Sequence, residues 1–142
     1  MFIRQISIFA ENRNGAIMEI TKALGNAGIN IRALSIADTT DFGIVRLIVD
    51  KTDKAIAALK AQDMTLSETP VIAVSIADTP GAFNGALEAL YDGAVMIEYS
   101  YGFVSPVKGG ATVILRCSEP EKAYELIRSK GLCLLTQDDV SA

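Results

Sequence analysis

Apolar and polar residues alternate along the start of this chain, change period, and then repeat the sequence of changes. From Phe2 to Ala10, Ile6 and Ile8 fall on one face and Gln5, Ser7 and Phe9 on the other, which predicts a half-buried strand. A polar stretch containing glycine follows, Glu11-Asn12-Arg13-Asn14-Gly15. Between Gly15 and Ala27 the apolar spacing shifts to three and four through Ile17, Ile20 and Leu24, the period of a helix. Gly25 and Gly28 supply its C-cap. Ile29 to Ala37 reads as a second strand, Asp38-Thr39-Thr40-Asp41 as a turn, and Phe42 to Val49 as a third strand apolar enough to be central. Asp50 and Asp53 open a second helix striped by Ala55, Ala58 and Leu59. A short fourth strand is predicted from Met64 to Leu66.

Ser67-Glu68-Thr69-Pro70 reads as a linker, after which the pattern restarts. Val71 to Ala77 alternates, Asp78-Thr79-Pro80-Gly81 is again a polar turn with glycine, and Phe83, Ala86, Leu87 and Leu90 stripe a helix. Val95 to Phe103 and Ala111 to Cys117 read as strands around a loop at Pro106 to Gly110. Ser118-Glu119-Pro120-Glu121 has the form of a capping box, opening a helix through Ala123, Leu126 and Ile127. Leu132 to Leu135 ends the unit, and Gln137 to Ala142 reads as a polar tail that frays. Gly81 lies 66 residues after Gly15, and Ser118 lies 68 after Asp50. Under these offsets apolar positions fall on apolar positions, Ile6 on Ile72 and Leu24 on Leu90 among them, and turns and caps coincide as well.

The chain therefore divides into unit 1, residues 1–67, and unit 2, residues 70–142. Each has the order β-α-β-β-α-β of a ferredoxin-like α+β fold. Right-handed crossovers put both helices on one face of an antiparallel sheet in spatial order 4-1-3-2. Such a unit leaves one sheet face and two edges needing cover, so the two are expected to pair side by side.

Composition removes several functional classes. Half of the 142 residues are hydrophobic, enough to bury roughly 70% of the unfolded surface. A net charge of −4 argues against a nucleic-acid partner, which needs clustered Lys and Arg. No apolar run approaches the ~20 residues of a membrane span, and the start Met1-Phe2-Ile3-Arg4-Gln5 lacks a signal-peptide layout, so a cytoplasmic protein with no membrane partner is expected. Histidine is absent, which removes the commonest general base and metal ligand. Cys117 and Cys133 sit in apolar segments and read as reduced core residues, with a regulatory disulfide as the alternative. No metal and no cofactor is implied, and an enzyme is not expected.

The run from Ile6 through Glu11-Asn12-Arg13-Asn14-Gly15-Ala16-Ile17, then Leu24, then Gly28-Ile29-Asn30-Ile31, resembles the start of an ACT domain. It is most similar to the ACT domain that ends serine-regulated phosphoglycerate dehydrogenases. Asp78-Thr79-Pro80-Gly81 carries the Asp-x-Pro-Gly version of the same turn, so the resemblance covers the chain as two ACT units without a catalytic domain. It implies a regulatory module that binds a free amino acid where ACT units pair. Polar residues of the first turn would hold the ligand together with an Asn at the start of the second strand of the facing unit. The matching positions are Asn12, Gly15 and Asn30, with Arg13, Asn14, Ala16 and Ile31 beside them. Asn14 replaces the family's usual Pro, and Ala10 stands where serine-binding members carry a histidine. In unit 2, Asp78, Gly81 and Met96 occupy the corresponding places, and Met96 offers no polar group to a ligand.

The chemistry of such a site is simple. Backbone N–H groups at a helix start, with the positive end of the helix dipole, suit a carboxylate. The asparagine amides can face either the carboxylate or the ammonium. Structural alternatives stand beside this reading. Asn12 or Asn14 could serve only to cap the helix, Gly15 only to turn the chain, and Asn30 only to bond its own backbone. Tyr99, Tyr101 and Phe103 form an aromatic row suited to core packing or an inter-unit interface, or to lining a ligand. The expected partners are a free amino acid, a second copy of the chain in a homodimer, and a regulated enzyme of amino-acid metabolism. The alternative function is an assembly module with no small-molecule ligand.

Overall fold

A computed structural model describes residues 2–38, 41–103 and 108–141. Its elements run β1 (Ile3–Glu11), α1 (Ala16–Asn26), β2 (Ile31–Asp38), β3 (Phe42–Val49), α2 (Thr52–Lys60), β4 (Thr65–Ala77), α3 (Ala82–Asp92), β5 (Ile97–Phe103), β6 (Gly110–Cys117), α4 (Pro120–Ser129), β7 (Cys133–Leu134) and α5 (Gln137–Ser141). The chain separates into an N-terminal unit, Arg4–Thr69 with the stretch from Val140, and a C-terminal unit, Pro70–Asp139 with the chain start up to Ile3. Part of the turn expected at Asp38 to Asp41 (Thr39, Thr40) and part of the loop expected at Pro106 to Gly110 lie outside the described residues.

In the N-terminal unit the strands lie in the order β2-β3-β1, followed by the first part of β4. Both β2–β3 and β1–β3 are antiparallel, with Ile6 opposite Leu47, Ile8 opposite Val45 and Ile36 also opposite Val45. Alternation sends Ile6, Ile8, Val45, Leu47 and Val49 toward the helices, where Ile20 and Leu24 of α1 and Ala55 and Leu59 of α2 close a single core. The opposite face carries Gln5 and Ser7. Gln5 Nε2 donates to Ser7 Oγ at 3.0 Å, and Ser7 Oγ lies 3.1 Å from Thr69 Oγ1, so this polar row is internally bonded. Arg4 fastens the start of α2 to the sheet through Asp53 (2.8 Å) and Glu68 (2.7 Å).

The C-terminal unit repeats this plan. β5, β6 and β4 are antiparallel neighbours, and β7 takes the other edge of β4 at Val74 and Ser75. Ile72, Val74, Leu115 and Cys117 face Leu90, Ala123 and Ile127 in its core. Phe2 packs edge-on against Tyr124, their ring centroids 6.0 Å apart. Tyr99 and Tyr101 stack with centroids 6.5 Å apart, and Phe103 is buried. Both units are thus ferredoxin-like, with helices on one face and order 4-1-3-2.

Four local expectations change. The linker at Ser67 to Pro70 is not a loop: it lies inside β4, a single 13-residue strand that runs from one unit into the next. Pro70 lacks an N–H, but its carbonyl accepts from Arg116 Nη1 at 2.9 Å. The capping box at Ser118 does not close, because α4 starts from Glu119 with no side-chain cap, and Ser118 Oγ accepts from the Met96 N–H (3.2 Å). The tail forms α5, and its Val140 is fully buried, so one apolar residue among polar ones anchors it. Cys117 is buried and its thiol is pushed up to about 11 by that burial, whereas Cys133 is exposed; neither is in a disulfide.

The repeat extends to backbone strain. Gly28 (φ +72°) after α1 corresponds to Ala94 (φ +57°) after α3, and Asp63 (φ +59°) after α2 to Gly131 (φ +75°) after α4. A left-handed conformation costs a non-glycine residue about 1–2 kcal/mol. Gly28→Ala is therefore expected to lower unfolding stability by about 1 kcal/mol, since no atom lies near its missing Cβ and only the φ penalty acts. Ala94→Gly is expected to raise stability. Urea unfolding checks both; a lower midpoint for Ala94→Gly would contradict the strain assigned there.

Candidate functional site

Backbone hydrogen bonds run through the β1–α1 junction. Asn12 N–H donates to the Asp41 carbonyl (2.9 Å), Arg13 N–H to that of Glu11 (2.9 Å), and Ala16 N–H to that of Arg13 (3.3 Å). Gly15 then takes the N-cap position with φ +89°, and no side chain caps α1. Neither Asn12 nor Asn14 is the helix cap. A Cβ built on Gly15 would meet nothing within 4 Å, so glycine is required there by backbone angle and leaves open space above the turn. The first N–H groups of α1 point out of this end of the unit with the positive end of the helix dipole.

The charges around the turn are paired among themselves. Arg13 reaches Glu19 at 2.6 Å and Glu11 at 3.4 Å. Its hydrogen bond to Glu19 raises the guanidinium pKa and holds the Glu19 carboxyl below the usual carboxylate range. Three clefts border the turn: one is lined by Arg13, Asn14, Gly15, Ile17 and Met18, and the other two are both touched by Ala10, Glu11, Arg13 and Ala16. Of these two, one, of about 350 Å³, opens toward Gln62 to Thr65 and the stacked rings of Phe9 and Phe42, 4.8 Å between centroids. The other, of about 250 Å³, opens toward the β2 side and has Asn12, Ile17, Ile36, Gly43 and Val45 in its lining.

Asn30 and Ile31 lie at the far end of the same unit. Asn30 N–H donates to Asp50 Oδ1 (2.9 Å), and Asp50 N–H returns a bond to the Asn30 carbonyl (3.1 Å). Asn12 bonds next to the start of β3 and Asn30 next to its end. The eight residues of β3 lie between Asp41 and Asp50, nine steps of roughly 3.3 Å and so roughly 30 Å in all. One unit therefore does not bring Asn12 and Asn30 together. Ile31 packs partly buried against the core. The backbone engagement of Asn30 runs through its main chain and the Asp50 side chain, and its own residue is exposed.

The C-terminal unit places its counterparts in the same way. Asp78 N–H donates to the Gly109 carbonyl (3.4 Å), Ala82 N–H to that of Thr79 (3.2 Å), and Gly81 caps α3 with φ +83°. Met96 sits at the opposite end of that unit, exchanging bonds with Ser118 as Asn30 does with Asp50. Sequence patterning did not single out the apolar wall of the cleft of about 250 Å³. Ile36 on β2 was the available signal, an apolar residue of a strand that remains exposed. Among the described residues no group of three or more His, Cys, Asp or Glu could hold a metal ion, and no helix is long and apolar enough to cross a membrane.

A family model described as an ACT domain pair matches residues 1–142. A crystal structure of protein BT0572 from Bacteroides thetaiotaomicron is 38% identical, with a TM-score of 0.92 over 99% of this chain and 96% of that one. The ligand-free regulatory subunit of aspartate kinase from Thermus thermophilus shares the fold at 17% identity, TM-score 0.64, covering 90% of this chain and 89% of that one. The corresponding subunit from Thermus flavus does so at 16% identity, TM-score 0.61, covering 92% and 94%. No curated protein sequence matches the chain.

The Arg13–Glu19 pair has a pH signature. A carboxyl with a folded pKa below its unfolded value of ~4.3 adds stability above that value and loses it as pH falls through the folded pKa. Glu19→Gln is therefore expected to be less stable than the unsubstituted protein at pH 7, with the two converging as pH drops below ~4. Chemical unfolding across that range checks this, and a constant difference at every pH would contradict it.

Proposed function

This chain belongs to the ACT domain pair family, and we propose on that premise that it is a non-catalytic regulatory module that binds a free α-amino acid. The observation that carries the reading is the β1–α1 turn. Its glycine cap leaves the first N–H groups of α1 without a side-chain partner of their own, beside a cleft of single-metabolite size. The ligand carboxylate would meet those N–H groups, and the ammonium the oxygens of Asn12 and Glu11. The aspartate kinase regulatory subunits that share the fold are regulatory proteins by name, which supports a regulatory role and a regulated metabolic enzyme as partner.

The second asparagine supports a homodimer. Asn30 stands roughly 30 Å from Asn12 within its unit, and its counterpart in the C-terminal unit is Met96, which has no N–H or carbonyl in its side chain. On this reading, the Asn30 that completes the first turn's site is supplied by a second copy of the chain. The resemblance of the turn to the phosphoglycerate dehydrogenase ACT domain is consistent with this division of the site between units.

Thermal unfolding with each common amino acid tests the proposal. A ligand at 100 times its dissociation constant adds ~2.7 kcal/mol, roughly 5–10 °C for a domain of this size. No shift with any amino acid would leave the assembly-module reading in its place. Asn12→Ala and Asn30→Ala are each expected to weaken binding about tenfold, the worth of one hydrogen bond. Both should stay folded, because the bonds to Asp41 and Asp50 use the backbone of these residues. Equal losses of binding and stability would assign them a structural role instead.

A further inference from the structure

From the lining of the smaller cleft, we infer that the amino acid bound is aliphatic, with a branched side chain seated on Ile36 and Val45. The inference rests on the amino-acid reading and adds the ligand's class. Behind the turn, the floor is Val45 (1% exposed), the roof is Ile17 and Ala16 in the first turn of α1, and the outer wall is Ile36. Gly43 backs the cleft without a side chain. Its charged lining residues are Glu11 and Arg13, and Arg13 is held by Glu19 and Glu11. Glu11, Arg13 and Asn12 are all exposed to solvent, whereas Val45 and Ala16 are buried, so the polar groups stand on the solvent side, where a ligand backbone has its own charges.

An amino acid entering carboxylate-first at the helix start would project its side chain away from these polar groups and onto hydrocarbon. A charged or hydroxylated side chain there would lose its water without finding a partner, which costs more than a missing methylene. An aliphatic side chain gains burial and covers Ile36, which is 51% exposed although it sits on the helix-facing side of β2 opposite Val45. The volume of about 250 Å³ falls just under the ~300 Å³ lower end of ordinary ligand pockets, suiting one small amino acid.

Calorimetric titration with valine, leucine, isoleucine, serine, aspartate and lysine separates the possibilities. The expected result is binding by the branched aliphatic amino acids at least tenfold tighter than by the polar three. Ile36→Asp is expected to abolish aliphatic binding while retaining the unliganded melting temperature, because Ile36 is already half in water; circular dichroism checks its fold. Ile36→Val, which keeps the apolar wall, should retain binding within about threefold. Preferential binding of serine, aspartate or lysine would overturn the aliphatic class and leave the amino-acid reading standing. Aliphatic binding that Ile36→Asp leaves unchanged would place the ligand elsewhere. Absence of binding by all amino acids would overturn both readings.

Discussion

A strand that must reach a parallel partner on the same sheet has to cross over its face, and here α1 makes that crossing. β1 and β2 both run antiparallel to β3, so they are parallel to each other with β3 between them. The crossing forces the β1–α1 turn to one end of the unit and the start of β2 to the other. It also aims the N–H end of α1 out of the same edge as the turn. The core then follows from period: strands give every second residue to the helices, and α1 returns Ile20 and Leu24 to Ile6, Ile8, Val45 and Leu47. Losing one of these, as in Leu24→Ala, removes on the order of 2–5 kcal/mol.

The two copies of the unit separate what the fold demands from what is specific to one copy. Both have a left-handed glycine ahead of the first helix, and both bond the start of their second strand to a side chain at the head of the second helix, Asp50 in one and Ser118 in the other. These positions serve geometry. Asn12 and Asn30 differ between copies, becoming Asp78 and Met96, although the backbone bonds at those places are retained. A difference in side chain over a constant backbone is what a ligand site in one copy alone would produce. The Ile36 wall belongs to that same copy.

Most of the fold was legible because its signals are local and periodic. The apolar run in Phe42 to Val49 and the three-four spacing of α1 give those elements nearly to the residue, and the 66- and 68-residue offsets give the duplication. What was not legible involves partners distant in sequence. Asp50 and Ser118 have cap chemistry, but each turns to a strand start about 20 residues earlier. Pro70 in a polar stretch reads as a break, yet an arginine 46 residues on, Arg116, donates a hydrogen bond to its carbonyl. Of the candidate site, the glycine turn ahead of α1 was readable, whereas Ile36 in the cleft beside it reads as ordinary core until its exposure is known.

The claim that most needs testing is that one site draws Asn12 from one copy and Asn30 from another. Mixing Asn12→Ala chains with Asn30→Ala chains, unfolding them together and refolding, creates mixed dimers in which one site has both asparagines and the other neither. If the site is shared, titration of the mixture with the bound amino acid shows a class of sites with the affinity of the unsubstituted protein, which neither variant has alone. If the mixture binds only as weakly as its separate components, Asn12 and Asn30 do not meet across copies, and the shared-site account is wrong.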